Sequence, residues 1–151
     1  PKIRVYWLGT SVDYDTGAIT SVDFNAVMDP QATHYVFHSD VELHVMPMEV
    51  SVEMTFDWEE TEERLRGLHP VSEFLVDRWY QHMDSGRFQR HIWDLALIGA
   101  IIHPDLAEEV TIQTAPERGG REVSYYKTLD VDAVRDDFFE TLARHFRDSV
   151  E

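Results

Sequence analysis

Three short patterns, in one order, limit what this chain can fold into. Ile3-Arg4-Val5-Tyr6-Trp7-Leu8-Gly9 is rich in β-formers and ends at a glycine, so it reads as a strand. Asp29-Pro30 is a helix start: Asp can cap exposed N–H groups, and Pro fits the first helical position because it has no N–H to lose. That helix is expected over Pro30 to about Ser39. Val41-Glu42-Leu43-His44-Val45-Met46 then reads as a second strand. Strand, helix and strand in this order form a βαβ unit with two parallel strands and a right-handed crossover. Thr10 to Thr20 is expected to be a loop with Asp13, Asp15 and Gly17 as turn residues. Pro47 to Ser51 closes the unit at the carboxyl end of a strand, where open α/β sheets usually hold their ligands.

The rest of the chain extends this pattern. Val71, Phe74, Leu75 and Trp79 recur at helical spacing, giving an amphipathic helix that Asp84-Ser85-Gly86 ends. Ile92 to Ile102 is apolar all round except for Asp94, so a buried helix is expected there. A buried carboxylate is costly unless it is paired, hydrogen-bonded or metal-bound, whereas Asp94 at the helix N-cap would be structurally useful; the residues leave both readings open. Glu109 to Thr114 and Glu122 to Tyr126 read as an antiparallel hairpin. Asp130 or Asp132 starts a last helix, with Val131, Val134, Phe138, Leu142 and Phe146 along one side. The expected fold is α/β in one domain over 1–151: a mixed, mainly parallel sheet flanked by helices, with a C-terminal β-hairpin and helix.

Composition excludes several functions. With 29 acidic residues against 13 basic and a net charge of −16, binding nucleic acid by phosphate neutralisation is not expected. The chain has no cysteine, hence no disulfide framework, thiol nucleophile or thiolate metal site. No run approaches the roughly 18 apolar residues of a membrane span, and no secretory leader is visible, so a cytoplasmic location with no membrane partner is the default expectation.

The candidate site residues cluster in two places. Asp23 and Asn25 are two apart, and in an extended segment they would point to the same side. A carboxylate and an amide side by side at the mouth of a helix suit the hydroxyl groups of a sugar; Asp and Asn are also ordinary turn residues. His34 and His38 share a helix face, but no third ligand accompanies them, and they read as surface or partly buried residues.

Asp23-Phe24-Asn25 followed by Asp29-Pro30-Gln31-Ala32 resembles the E-F-N-x-x-x-D-P-E-A segment of the inosine-uridine-preferring nucleoside hydrolases. Pro47-Met48-Glu49-Val50-Ser51 is similar to that family's P-L-D-V-T segment. Trp93-Asp94, an apolar helix and His103-Pro104-Asp105-Leu106 resemble its H-D-P-x-A-V-A-Y-L-I-D-P-x-L segment. The resemblance covers only the second half of the family. It implies a partial nucleoside-hydrolase-like fold and hydrolysis of the C–N bond of purine or pyrimidine nucleosides. It also implies ribose contacts from Asp23 and Asn25, and a calcium ligand in Asp94. Trp93 stands where the family has a His that contacts the leaving base; a Trp can stack on a base but cannot protonate it. Gly17 stands where a ribose-binding Asn is expected, and Asp23 is a methylene shorter than the family's Glu.

The resemblance places the catalytic base and most Ca²⁺ ligands in an N-terminal aspartate cluster, so Ca²⁺ is expected only if that cluster is supplied. No catalytic residue is assigned within these 151, and the chain alone is expected to be inactive. Two readings follow: a nucleoside hydrolase seen in part, or a non-catalytic nucleoside-hydrolase-like binding or interaction module. The expected ligand is a nucleoside or another ribose-containing small molecule. A half-fold would expose an apolar sheet edge, so a homo-oligomer or association with an N-terminal half is expected.

Overall fold

The computed structural model describes residues 3–83, 86 and 89–148. Its strands are β1 (Arg4–Leu8), β2 (Ser11–Val12), β3 (Ile19–Thr20), β4 (Glu42–Met46), β5 (Thr55–Asp57), β6 (Gln89–His91), β7 (Ala107–Gln113) and β8 (Glu122–Leu129). Its α-helices are α1 (Phe24–Met28), α2 (Pro30–His38), α3 (Met48–Ser51), α4 (Trp58–Leu65), α5 (Pro70–Met83), α6 (Trp93–Ile102) and α7 (Val131–Asp148).

The main sheet has the order β1-β4-β8-β7. β1, β4 and β8 are parallel, with Tyr6 beside His44 and His44 beside Ser124. β7 returns antiparallel to β8, with an irregularity between Glu108 and Glu109. This is the mixed, mainly parallel α/β sheet flanked by helices that the residue patterns imply. Alternation along β4 divides the core between the two faces. Leu43 and Val45 join Phe37 of α2 and Tyr125 on one face. Met46 joins Leu8, Tyr126, Ala96 and Ala100 of α6, and Val134 and Phe139 of α7 on the other. A central parallel strand is covered on both faces, and Leu43 through Met46 are accordingly all buried.

The helix signals act as their chemistry requires. Asp29 Oδ1 accepts from the Ala32 N–H at 2.9 Å, with Pro30 at the first helical position. Asp57 caps α4 through Glu59 N–H at 2.8 Å, and Asp130 Oδ1 accepts from Ala133 N–H at 3.0 Å at the start of α7. α6 and α7 approach so closely at Gly99 that a Cβ there would lie 2.4 Å from Val134 Cγ1.

The structure corrects several expectations. The loop after β1 contains the small β2–β3 hairpin. Residues 24–28 are helical, not extended, because the Asp23 carboxylate captures the Ala26 N–H and caps α1. Asp23 and Asn25 therefore do not project side by side; positions two apart on a helix diverge. α6 is not buried all round, since Ile98, Ile101 and Ile102 are exposed. Asp94 is neither buried nor the N-cap. It is exposed in the first turn, and the cap position is Ile92, which makes no side-chain cap bond. A carboxylate in a first turn is still favoured by the helix dipole. The antiparallel β5–β6 pair was not expected from the sequence, because three-residue strands carry no readable period. The α5 stop signal at Asp84-Ser85 lies outside the described residues.

Candidate functional site

The parallel strands bring the candidate residues to one end of the sheet. β1 ends at Leu8, and Gly9 N–H donates to the Met46 carbonyl at the end of β4. The chain then turns at Thr10, whose φ of 60° is in the left-handed region. That conformation is strained for a β-branched residue, and Thr10 is fully buried. Its neighbours hold it there. Asp23 Oδ2 accepts from the Thr10 N–H at 2.6 Å, and Thr10 Oγ1 shares a hydrogen bond with the Tyr125 hydroxyl at 3.1 Å. The Thr10 carbonyl accepts from Met48 N–H at the start of α3. Gly9 is required for this contact, because a Cβ there would meet Asp23 Oδ1 at 2.7 Å.

Asp23 is thus a buried clamp. One oxygen caps α1 and the other holds Thr10. Asn25 lies on the exposed side of the same helix, and its Nδ2 donates to the Leu8 carbonyl at 2.8 Å. Glu49, also exposed, accepts from Val12 N–H at 3.1 Å. Burial pushes the Tyr125 hydroxyl well above its ordinary pKa, so it stays protonated as a partner for Thr10. Thr10 and Tyr125 carry no sequence signature; only the positive φ and the contact across the sheet identify them.

The second cluster is at the start of α6. The Ile92 N–H donates to the Met54 carbonyl at 3.0 Å, just past α3, so this helix also begins at the carboxyl end of the parallel strands. Trp93, Trp79, Phe138, Leu142, Arg90 and Asp94 are among the walls of a cleft of about 420 Å³. Its lining combines aromatic and aliphatic side chains with the charged Arg90 and Asp94. The Trp93 indole Nε1 is buried with no hydrogen-bond partner among the described residues. His91 also lines the cleft, but its Nδ1 faces the Val52 carbonyl at 2.8 Å and Thr55 Oγ1 at 3.2 Å.

Both clusters lie at the same end of the sheet, but the hydrogen bonds of Asp23 and Asn25 go to Thr10, Ala26 and Leu8, and the cleft at Trp93 and Asp94 is not lined by Asp23 or Asn25. No group of three or more His, Asp or Glu among the described residues could hold a metal ion. The His34 and His38 ring centroids are 3.8 Å apart with the planes tilted by 32°, and His38 Nδ1 lies against the His34 carbonyl. Calcium takes six to eight oxygens, and Asp94 alone does not supply such a shell. The residues present therefore do not fit a calcium site.

A family model described as inosine-uridine preferring nucleoside hydrolase matches residues 2–146. Among solved structures, the chain is similar to a purine-preferring ribonucleoside hydrolase from Gardnerella vaginalis at 15% identity and a TM-score of 0.69. The match covers 95% of this chain and 52% of that one. It is also similar to an inosine-uridine preferring nucleoside hydrolase from Bacillus anthracis at 18% identity and a TM-score of 0.61, covering 92% of this chain and 50% of that one. The chain thus spans about half the length of either structure. No curated protein sequence matches it.

Proposed function

The chain belongs to the inosine-uridine preferring nucleoside hydrolase family, and from that membership we propose that it serves hydrolysis of the C–N glycosidic bond of nucleosides. The carrying observation is the family match over nearly the whole chain, combined with both candidate clusters at the carboxyl end of the parallel strands. In this reaction the C1′–N bond breaks and its electron pair leaves with the base. Water forms the new C1′–O bond, and its proton is lost to a base. Developing positive charge on the ribosyl ring is favoured by carboxylate and amide oxygens around the sugar.

The residues take distinct parts. Asn25, exposed at the end of β1, faces the ribose hydroxyls, and Asp23 fixes the Gly9–Thr10 turn beneath them. Trp93 supplies a flat apolar wall for the base in the cleft with Trp79 and Phe138. Asp94 could contribute one oxygen to a metal, and the other ligands and the general base come from outside these residues. The 151-residue chain on its own is accordingly inactive.

A second reading, a binding module without catalysis, is favoured by two observations: both Asp23 oxygens already hold backbone N–H groups, and the Trp93 indole stands where a proton donor would be useful. Reducing-sugar release from inosine and uridine by the purified chain tests the inactivity. Turnover that Asp94→Ala abolishes would sink it. Inosine quenching of tryptophan fluorescence, lost in Trp93→Leu and weakened in Asn25→Ala, supports the proposed subsites; no binding by the chain in any form removes both readings.

A further inference from the structure

We infer that a cleft between α4 and α7 binds a phosphate dianion through Arg64, Arg144 and Arg147, taken up as free phosphate or as the phosphate group of a small ester. The site stands apart from the nucleoside reading. α7 turns Phe138 and Leu142 towards the Trp93 cleft, and Phe139 and Ala143 towards this one. The chain carries 13 basic residues against 29 acidic ones. Three of the 13, all arginines, line this one cleft of about 410 Å³, and Glu140 is the single carboxylate among its lining residues.

Elsewhere the arginines are matched to carboxylates. Arg66 bonds Glu62, Glu73 and Asp77, and Arg135 bonds Asp132. Arg144 and Arg147 differ. Arg144 Nη2 donates to the neutral Thr141 hydroxyl at 3.1 Å, and Arg147 has no hydrogen bond or ion pair among the described residues. They are three apart on α7 and so share a face. Arg64 comes from the last turn of α4. Its guanidinium lies 4.8 Å from the centre of the Phe139 ring. Its Nη1 donates to Asp136 at 3.2 Å and lies 3.9 Å from Glu60, which leaves Nε and Nη2 as donors for a ligand.

The helix dipole favours one cation in a last turn. Three arginines from two helices on one cleft are more than it requires. Guanidinium forks match planar pairs of anionic oxygens. Three forks suit the three terminal oxygens of a phosphate, with nearly two charges at neutral pH, better than the two oxygens of a carboxylate. A long polyanion is the poorer occupant, because the net charge of −16 repels it beyond the cleft.

Calorimetric titration at low ionic strength tests the site, with inorganic phosphate and glycerol 3-phosphate as probes and glycerol as the phosphate-free control. Saturable binding of a phosphate probe is expected. Arg144→Gln and Arg147→Gln, both at exposed positions, should each weaken it about tenfold or more, the effect of one hydrogen bond between charged groups. Glu140→Gln should tighten it by removing the opposing carboxylate. Arg78→Gln, which removes the same charge from an exposed position on α5, should leave it unchanged. Melting curves confirm that each variant is folded. Equal affinity for the two probes identifies free phosphate as the ligand, and tighter glycerol 3-phosphate identifies an ester. No saturable binding of either probe, equal binding of glycerol, or the same weakening in Arg78→Gln as in Arg144→Gln and Arg147→Gln would overturn the inference.

Discussion

Asp23 is the residue on which the two levels of description differ most. As a sequence element it resembles a ribose-binding carboxylate; in the fold it is a cap and a clamp on the strained Thr10. Asp23→Ala removes a cap worth about 0.5–2 kcal/mol and a charge-assisted bond worth about 1.5–3 kcal/mol. A loss of about 2–5 kcal/mol in urea unfolding is expected, against about 1 kcal/mol for Asn25→Ala, which breaks one half-exposed bond. Equal losses would count against the clamp. Tyr14 gives a pH signature. Its hydroxyl donates to the Tyr126 carbonyl at 2.9 Å, and burial, then the Glu49 charge, push its pKa up to about 12. The folded state favours the neutral phenol, so this contribution is fully present below the unfolded value near 10 and is lost as pH rises from there towards about 12. Tyr14→Phe should flatten that part of the alkaline stability curve, and an unchanged curve would refute the assignment.

Among the elements, α6 shows how far hydrophobic pattern carries. Its composition announces burial, but only the face holding Ala96, Gly99 and Ala100 is covered. The tight α6–α7 contact makes a sharp prediction. Gly99→Ala drives a methyl into Val134 and should cost about 1–3 kcal/mol by overpacking. Val134→Ala in the same chain should recover part of that loss, giving non-additive thermal shifts; additive shifts would show that the two residues do not touch. The helix starts at Asp29 and Asp130 were legible, or open to the right chemistry, because a cap is a local bond between neighbours in sequence. Asp23 was misread for a related reason: a cap and an extended turn use the same residues, and only the backbone path distinguishes them.

Across the whole molecule, the described carboxylates form no cluster able to hold a metal. A ligand that binds the folded state raises its stability in proportion to RT ln(1 + [L]/Kd). Millimolar Ca²⁺ should therefore move the melting temperature of the 151-residue chain by less than about 1 °C. A larger shift, abolished by Asp94→Ala, would reveal a site these residues do not present.

The sequence by itself determined the order of the longer strands and helices, the parallel β1–α2–β4 unit, the C-terminal hairpin and the family, because each rests on local periodicity, caps and short motifs. Tertiary structure decided which face of α6 is covered, that Asp23 points into the backbone, that Thr10 is held with positive φ against Tyr125, and that the candidate residues form two clusters at one end of the sheet. Those outcomes depend on contacts between residues as far apart as Thr10 and Tyr125, and no local pattern encodes a contact across that distance in the chain.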